Sequence, residues 1–399
     1  MIIGLVGKPS CGKSTFFNAS TLAGAEMASY PFTTIKANHA VGFVKVDCVD
    51  SFFSKQCNPR FGYCQNHKRF IPVDMMDIAG LVPGAHEGLG MGNQFLEDIR
   101  QANVCIHVVD ASGSTNEKGE LVGAFKHDPV KDIAFLEEEL DYWYFGVLDR
   151  GWDRMARLMV QEKSPVDRII AKQMSAFGVT EDMTKDLLEK MKLKEKKPTD
   201  WTKEELFTVA QKLRHATKPV LIAANKIDVP GCEENIERLK KAYPTYTIIP
   251  CSAESEFALR QAAKAGIIEY IPGEKDFKIL DESKINENQK KALLFIKQNI
   301  LERYGTTGVQ QVLNAAVFDF LKYVAIYPGG VGKLVDSEGR TLPDCFLMPP
   351  GTTALDFAYK LHSDFGKHFI RAVNVKTKMA IGRDIPLNNG DVVEIFSGK

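Results

Sequence analysis

Residues 7–14 read Gly-Lys-Pro-Ser-Cys-Gly-Lys-Ser and follow directly on the apolar run of residues 2–6. That short, β-branched run is typical of a buried parallel strand. The two glycines allow successive backbone N–H groups of the loop to point inward at a phosphate. Because helix-compatible residues 15–19 come next, the helix dipole would face the same anion. Strand, loop and helix in this order indicate a nucleoside triphosphate site rather than a chance glycine-rich turn.

The residue types in this loop fit the groups of a triphosphate. Lys13 places a positive charge near the β and γ oxygens, and the hydroxyl of Ser14 can ligate Mg²⁺. We therefore predict that the whole stretch binds nucleotide, namely Gly7, Lys8, Pro9, Ser10, Cys11, Gly12, Lys13, Ser14 and Thr15.

A second motif indicates which base is bound. The apolar run 220–224 leads into Asn225, Lys226 and, one residue further, Asp228. One carboxylate can accept both the N1–H and the exocyclic amine of guanine. Adenine has no donor at that edge, so Asp228 would face an unpaired acceptor at a cost of a few kcal/mol. We expect Asn225 to brace the loop and touch the base edge, and the Lys226 stem to cover the ring face.

A third apolar run, residues 247–250, precedes Cys251, Ser252 and Ala253. The backbone N–H groups here are candidates for contacts with the guanine O6, and we predict Ser252 and Ala253 as nucleotide-binding residues. Each fragment alone is weak evidence for a guanine site, since the Asn-Lys-x-Asp motif by itself is also typical of a solvated loop. Three fragments in this order, each after a predicted strand, favour GTP.

Between these motifs, residues 77–80 are candidates for sensing the γ-phosphate. Asp77 would hold Mg²⁺ through water, and the Gly80 N–H would bond the γ-phosphate. Upstream, Thr33 and Thr34 each offer a hydroxyl that could complete the Mg²⁺ shell, and spacing alone does not distinguish them. Loss of the γ-phosphate would release both segments, which is the order–disorder switch of GTPases.

Two long stretches around these candidates resemble the Obg-like translation-factor GTPases, with the YchF-related branch the nearest match. They are residues 30–34, Tyr-Pro-Phe-Thr-Thr, and residues 77–96, which begin Asp-Ile-Ala-Gly-Leu-Val-Pro-Gly-Ala-His-Glu-Gly. The resemblance implies that Thr34 is the Mg²⁺ ligand, and that the protein acts on ribosomes or in translation with GTP or sometimes ATP. Relatives that prefer ATP have lost the Asn-Lys-x-Asp loop, so its presence favours GTP. We take Lys13, Thr34 and Gly80 as the catalytic residues.

Two positions differ from the residues found in other GTPases, and both differences concern hydrolysis. Leu81 stands where Ras-type GTPases place the glutamine that orients the attacking water, so we expect slow turnover by the protein alone. His86 and Glu87 are candidates for positioning water, although exposed switch residues are the favoured interpretation. Many relatives carry asparagine at the fourth loop position, where it helps to bind K⁺, and this chain has Ser10. The predicted cofactor is Mg²⁺, and a K⁺ requirement stays open.

Composition predicts a cytoplasmic protein of two to three domains. The 399 residues carry 51 basic and 51 acidic side chains, so no global field attracts nucleic acid. We identify no signal peptide and no apolar run of the ~18 residues that span a bilayer. Cys57, Cys64 and His67 invite a metal interpretation, but the pattern lacks a fourth ligand and the usual spacing. We favour reduced structural thiols.

Domain organisation follows from the distance between motifs, because more than a hundred residues separate the strand 104–110 from the next sheet strand near residue 220. Residues 349–354, Pro-Pro-Gly-Thr-Thr-Ala, and 387–395, Leu-Asn-Asn-Gly-Asp-Val-Val-Glu-Ile, resemble a TGS domain, which is a β-grasp module. We predict an α/β fold: a doubly wound P-loop GTPase core with an inserted helical subdomain and, as this resemblance implies, a C-terminal β-grasp (TGS) domain. The GTPase domain takes residues 1–129 and 216–328, the helical insertion residues 130–215, and the TGS-like unit residues 329–399. Helices are expected at 129–144, 164–176, 181–191 and 202–215.

Partners are GTP and GDP, with ribosome or RNA as the expected larger partner and no membrane or DNA partner. The lysine-rich run 190–197 is a candidate for RNA phosphate contacts, with a solvated turn between two helices as the alternative. The resemblance of residues 329–399 to a TGS domain implies binding of RNA or regulation of partners. Two other functions stay open: a GTP-dependent scaffold or stress regulator that binds proteins, and an ATPase of the same family.

Overall fold

The computed structural model describes residues 1–21, 38–78 and 92–398, except for the side chains of residues 92–94. The predicted switch residues Thr34 and Gly80, and the neighbouring Leu81, His86 and Glu87, lie outside these ranges. The described chain forms two compact units. One contains residues 1–15 and 76–252, and the other contains residues 16–75 and 253–399.

Strands and helices alternate through most of the described chain. The strands are β1 (Ile2–Val6), β2 (His39–Asp47), β3 (Tyr63–Gln65), β4 (Lys68–Asp77), β5 (Val104–Asp110), β6 (Val220–Asn225), β7 (Ile248–Pro250), β8 (Ile268–Tyr270), β9 (Phe277–Ile279), β10 (Val324–Pro328), β11 (Phe346–Met348), β12 (Phe369–Asn374), β13 (Ala380–Ile381) and β14 (Val392–Ser397). The α-helices are α1 (Lys13–Thr21), α2 (Gly92–Gln101), α3 (Pro129–Asp149), α4 (Trp152–Glu162), α5 (Val166–Gln173), α6 (Glu181–Lys190), α7 (Lys203–Thr217), α8 (Cys232–Ala242), α9 (Ala253–Lys264), α10 (Glu287–Ile296), α11 (Glu302–Tyr304), α12 (Val309–Asn314), α13 (Ala354–Leu361) and α14 (Ser363–Lys367). None of the described helices is both long and apolar enough to cross a membrane.

The first unit is built on parallel strands in the order β1–β5–β6–β7. Ile3 pairs with Val104, and β5 pairs with β6 along its length from Cys105 to Asp110. All residues of β5 and β6 are buried, as expected for parallel strands covered on both faces. The carboxyl ends of these strands meet at one edge, which is where open α/β sheets bind ligands.

The helical insertion is a subdomain with its own core between β5 and β6. The predicted start at Thr202 is confirmed, since Thr202 and Glu205 form a capping box at the first turn of α7. Arg214 on α7 is buried and pairs with Asp141 at 2.8 Å and with Glu137 at 2.6 Å, both on α3. Helix α4 was not among the predicted helices. The buried core includes Tyr144, Leu148, Trp152, Ile170, Met174, Leu188, Leu206, Val209 and Leu213.

The second unit contains the C-terminal β-grasp sheet, with strand order β11–β10–β14–β12–β13 and helix α13 packed through Phe357 in its core. Strand β10 pairs with both β11 and β14. The sheet therefore includes a strand that precedes residue 329, and the domain boundary predicted there stays a prediction. The hairpin β8–β9 was also not predicted, because each of its strands is only three residues long.

His107 makes the stability of the first unit depend on pH. It lies in β5, 3% exposed, and its Nδ1 has no hydrogen-bond partner among the described residues. Burial, with a contribution from the charge of Lys8, lowers the pKa of His107 to about 3. An unfolded chain binds this proton near pH 6.5 and the folded chain does not, so stability is complete above about pH 6.5 and is lost as the pH falls towards 3.

We expect the free energy of unfolding to fall by about 2 kcal/mol more in the wild type than in His107→Leu between about pH 7.5 and about pH 5. Urea unfolding followed by circular dichroism measures this difference. His362→Gln, at an exposed histidine, is the matched control and should follow the wild type. Parallel pH curves for the wild type and His107→Leu would contradict the prediction.

Candidate nucleotide site

The loop between β1 and α1 needs glycine at both ends because other backbone and side-chain atoms approach it closely. Gly12 has a φ of +93°, and a Cβ there would lie 2.2 Å from Nδ2 of Asn225. A Cβ on Gly7 would lie 2.6 Å from the carbonyl oxygen of Val108. The predicted close curl of the loop is therefore present, and it is packed against residues at the ends of β5 and β6.

Lys13 and Asp77 lie together at the mouth of this loop. The ammonium of Lys13 pairs with Oδ1 of Asp77, and both side chains are mostly buried. Asp77 ends β4, and the next N–H, of Ile78, donates to Leu5 O at 3.1 Å, which holds the strand end beside β1. The predicted Mg²⁺ ligand Ser14 follows Lys13 and is exposed. Hydroxyl and carboxylate oxygens of this kind suit Mg²⁺, so Ser14 and Asp77 fit the predicted cofactor.

Lys8, predicted as a nucleotide-binding residue, has its side chain in a buried ion pair. Its Nζ pairs with Oδ2 of Asp132 at 2.8 Å and donates to Thr115 O at 2.7 Å, and only 6% of the residue is exposed. His127 shares the same carboxylate at 2.7 Å. Burial raises the pKa of Asp132, against the opposing effects of Lys8 and His127. The Lys8 ammonium ties the loop to the start of α3, which leaves its backbone as the predicted phosphate contact.

The base motif is joined to the phosphate loop. Asn225 ends β6, and its Nδ2 donates to Cys11 O at 3.0 Å, so it braces the loop as expected. Lys226, with a φ of +69°, pairs with Oδ2 of Asp110 at 2.9 Å and reaches Ser114 Oγ at 3.2 Å. The ammonium of Lys226 is thereby held by Asp110 and Ser114, which lie at and just after the end of β5.

Asp110 was not recognised as a site residue from the sequence. Burial opposes its ionisation, but hydrogen bonds from Ser112 and Lys226 outweigh that effect and lower the pKa of Asp110. The hydroxyl of Thr115 also donates to Oδ2 of Asp110, at 2.8 Å. The signal that could have found it is its position as the last residue of β5, at the same sheet edge as the predicted motifs.

Asp228 is oriented by the third predicted fragment. Ser252 is buried, and its Oγ donates to Oδ1 of Asp228 at 2.7 Å. Cys251 N donates to Ala224 O at 2.8 Å, which places this fragment beside the end of β6. The hydroxyl contact of Ser252 adds to its predicted backbone role. Ala253 begins α9 in the second unit, and its predicted contact with the base stays a prediction.

We expect replacement of Lys8 to lower stability and replacement of Lys13 to lower GTP affinity. Lys8→Met leaves the carboxylate of Asp132 buried beside His127 without its lysine, so we expect the free energy of unfolding to fall by about 3–5 kcal/mol. GTP affinity at a temperature where the variant is folded should change by less than about threefold. Lys13→Met is the matched variant, with a large loss of affinity and a small change in stability. Urea unfolding and calorimetric titration with GTP measure both, and loss of affinity without loss of stability in Lys8→Met would refute the assignment.

Family comparisons match three parts of the chain. Residues 2–136 match the 50S ribosome-binding GTPase family. Residues 223–330 match the G4 motif-containing domain of the YGR210-like Obg-like GTPases, and residues 332–397 match the TGS domain. The matched regions contain the phosphate loop, the Asn-Lys-x-Asp motif and most of the β-grasp sheet.

Comparisons over the whole chain agree with these matches. The chain is 46% identical to the uncharacterized GTP-binding protein MJ1332 of Methanocaldococcus jannaschii, over 99% of each chain. It is 31% identical to the ribosome-binding ATPase YchF of Bacillus subtilis, over 93% of this chain and 87% of that protein. The crystal structure of a GTP binding protein from Pyrococcus horikoshii OT3 matches with a TM-score of 0.77 and 39% identity, over 100% of both chains. The chain belongs to the Obg-like, YchF-type family of P-loop GTPases with a C-terminal TGS domain.

Proposed function

We propose that this protein is a Mg²⁺-dependent switch that binds GTP, hydrolyses it slowly and acts in translation, on the ribosome or its RNA. The observation that carries the proposal is the joined site at the sheet edge, where Asn225 of the base motif holds Cys11 of the phosphate loop. A site built in this way couples recognition of the base to placement of the phosphates.

Guanine is the base that this geometry supports best. Oδ1 of Asp228 accepts from Ser252, which fixes the plane of the carboxylate while a lone pair remains on that oxygen. Both carboxylate oxygens can then accept from the two donors on the guanine edge. The YchF relative at 31% identity is named an ATPase, whereas the relative at 46% is named GTP-binding. The retained Asn225, Lys226 and Asp228 favour the second.

Nucleotide binding would exchange the ion pair of Lys13. Its present partner is Asp77, and the β and γ oxygens of a triphosphate offer it a stronger anionic partner. Asp77 and Ser14 are then free to hold hydrated Mg²⁺, together with Thr34. Mg²⁺ held by these residues would supply positive charge against the negative charge that develops on the phosphate oxygens.

Hydrolysis in this proposal depends on positioning and charge. Lys13 and the Gly80 N–H would stabilise the γ-phosphoryl group during attack by water, and Thr34 would be a further ligand of Mg²⁺. Leu81 offers no hydrogen bond to the attacking water. Turnover by the protein alone is therefore slow, and a partner or another segment supplies the missing contact.

Action on the ribosome rests on the relatives and less on the lysine-rich run. Within residues 190–197, Lys194 pairs with Glu189 at 2.5 Å and Lys196 with Glu205 at 2.7 Å. These pairs partly neutralise the run and fit a turn between α6 and α7. An RNA contact through this run would have to replace exposed ion pairs, which are individually weak. The β-grasp sheet is the other candidate surface for a ribosomal partner.

Asp228→Asn tests the base. The variant replaces an acceptor by a donor opposite the guanine amine, so we expect GTP affinity to fall by about a hundredfold, or about 3 kcal/mol. Xanthosine triphosphate, which has a carbonyl in place of that amine, should gain affinity. Calorimetric titration measures both, with Asp384→Asn at an exposed aspartate as the control. Equal binding of ATP and GTP by the wild type would favour the ATPase alternative.

Ribosomes from the protein's own source should stimulate GTP turnover strongly. Phosphate release by the purified protein is measured with and without ribosomes over a series of salt concentrations. We expect stimulation that weakens as salt rises, because phosphate contacts release counterions. Tight GTP binding with no stimulation at any salt concentration would contradict the ribosomal role and favour the protein scaffold.

A further inference from the structure

Three cysteines and a carboxylate converge in the second unit, between β2 and β4. Cys48 precedes a 3₁₀ turn (Val49–Phe53) that contains Asp50, Cys57 lies in the loop after this turn, and Cys64 lies in β3. One ligand atom from each of the four residues lies within 4.8 Å of the other three. The sulfurs of Cys48 and Cys57 are 3.5 Å apart.

Two of the distances within this cluster match those between the ligands of a metal ion. Four ligands around zinc at about 2.0–2.3 Å are separated from one another by about 3.5–3.8 Å in a tetrahedron. Cys48 and Cys57 have their sulfurs at 3.5 Å, and Cys64 Sγ is 3.8 Å from Oδ2 of Asp50. A disulfide requires sulfurs at about 2.0 Å, so this packing is that of separate thiols.

The carboxylate is held with one oxygen towards the cysteines. Asp50 is fully buried, and its Oδ2 accepts from Cys57 N at 2.8 Å. Its Oδ1 contacts Nδ1 of His67 at 2.9 Å. A histidine that supports a carboxylate ligand in this way fixes the ligand's orientation, as outer-shell partners of metal sites do.

A buried positive charge lies against the same sulfurs. Arg69 is 1% exposed, with Nη1 at 3.5 Å from Cys57 Sγ. The guanidinium also donates to Leu342 O and Pro343 O, at 3.0 and 2.9 Å. Among the described residues no carboxylate forms an ion pair with Arg69. A buried guanidinium needs a counter-charge, and thiolates bound to a metal would provide it.

We propose that Cys48, Asp50, Cys57 and Cys64 form a structural zinc site. Thiolate-rich ligand sets select zinc over Mg²⁺ or Ca²⁺, and four protein ligands close the coordination sphere without an open position for catalysis. None of these four residues is among the predicted nucleotide-binding residues.

The ion would fix residues 48–67 against the β-grasp residues of the same unit. Asn58 N donates to Thr341 O at 2.8 Å, and Arg60 N donates to Pro343 O at 2.9 Å. Cys48 and Cys57 also share one apolar core with Tyr327, Leu342, Val375 and Val392. Binding energy of a structural zinc is folding energy, so the ion stabilises this contact.

Metal analysis of the full-length protein, purified under reducing conditions, tests the proposal. We expect about one zinc per chain, and an X-ray absorption spectrum with about three sulfurs at about 2.3 Å and one oxygen at about 2.0 Å. Cys57→Ser and Cys64→Ser should each retain about a tenth of this zinc or less. Cys345→Ser is the matched control, because Cys345 packs on the same core outside the four-residue cluster. It should keep the zinc.

A second measurement does not depend on variants that fold. Reduced wild-type protein is stripped with a chelator and titrated with Co²⁺, whose visible spectrum reports tetrahedral thiolate ligands. Wild-type protein that contains no zinc and takes up neither Co²⁺ nor Zn²⁺ after reduction would overturn the site. Equal zinc loss in Cys345→Ser and Cys57→Ser would also overturn it. A greater loss in His67→Ala than in Asp50→Asn would overturn the choice of Asp50 as the fourth ligand.

Discussion

The hydrogen bond from Asn225 to the carbonyl of Cys11 is the contact on which the nucleotide site depends. It connects the end of β6 to the phosphate loop, and it leaves room only for glycine at position 12. Both atoms are buried, so loss of either partner would leave a polar group unsatisfied in the core. The register of β5 with β6 then places Asp110 opposite Asn225, where it meets Lys226.

Three lysines around the loop show two kinds of ion pair. Lys8 is almost fully buried with Asp132, so its exchange for a phosphate would strand a buried carboxylate. Lys226 pairs with Asp110, whose carboxylate is fully buried, so this pair is of the same kind. Lys13 and Asp77 form the second kind, with 12% and 23% of their side chains exposed. The first kind of pair builds the loop. The second is available for exchange when a nucleotide brings new charges.

The features that the sequence predicted correctly are those formed by residues close together in the chain. The phosphate loop and the Thr202 cap are each encoded by a few consecutive residues, and the strand–loop–helix order and the capped helix start are present as predicted. The buried ion pair of Lys8 was not predicted, because its partner Asp132 lies more than a hundred residues away in the chain. The place of strand β10 in the C-terminal sheet was not predicted, since it is set by pairing with β11 and β14 and not by the glycine turn that follows it.

The cysteine cluster is a second feature that the spacing of residues in the sequence did not predict. Cys57, Cys64 and His67 suggested a metal, but the missing ligands come from Cys48 and from Asp50 in a short 3₁₀ turn. No regular ligand spacing announces them, because the fold assembles them from a strand end, a turn and a hairpin. The burial of Asp50 beside three cysteines requires a physical explanation. A carboxylate at 0% exposure beside three thiols is costly to bury, and an apolar side chain of similar volume would pack there more favourably. A bound cation reverses that balance, because it converts the buried polar atoms into ligands.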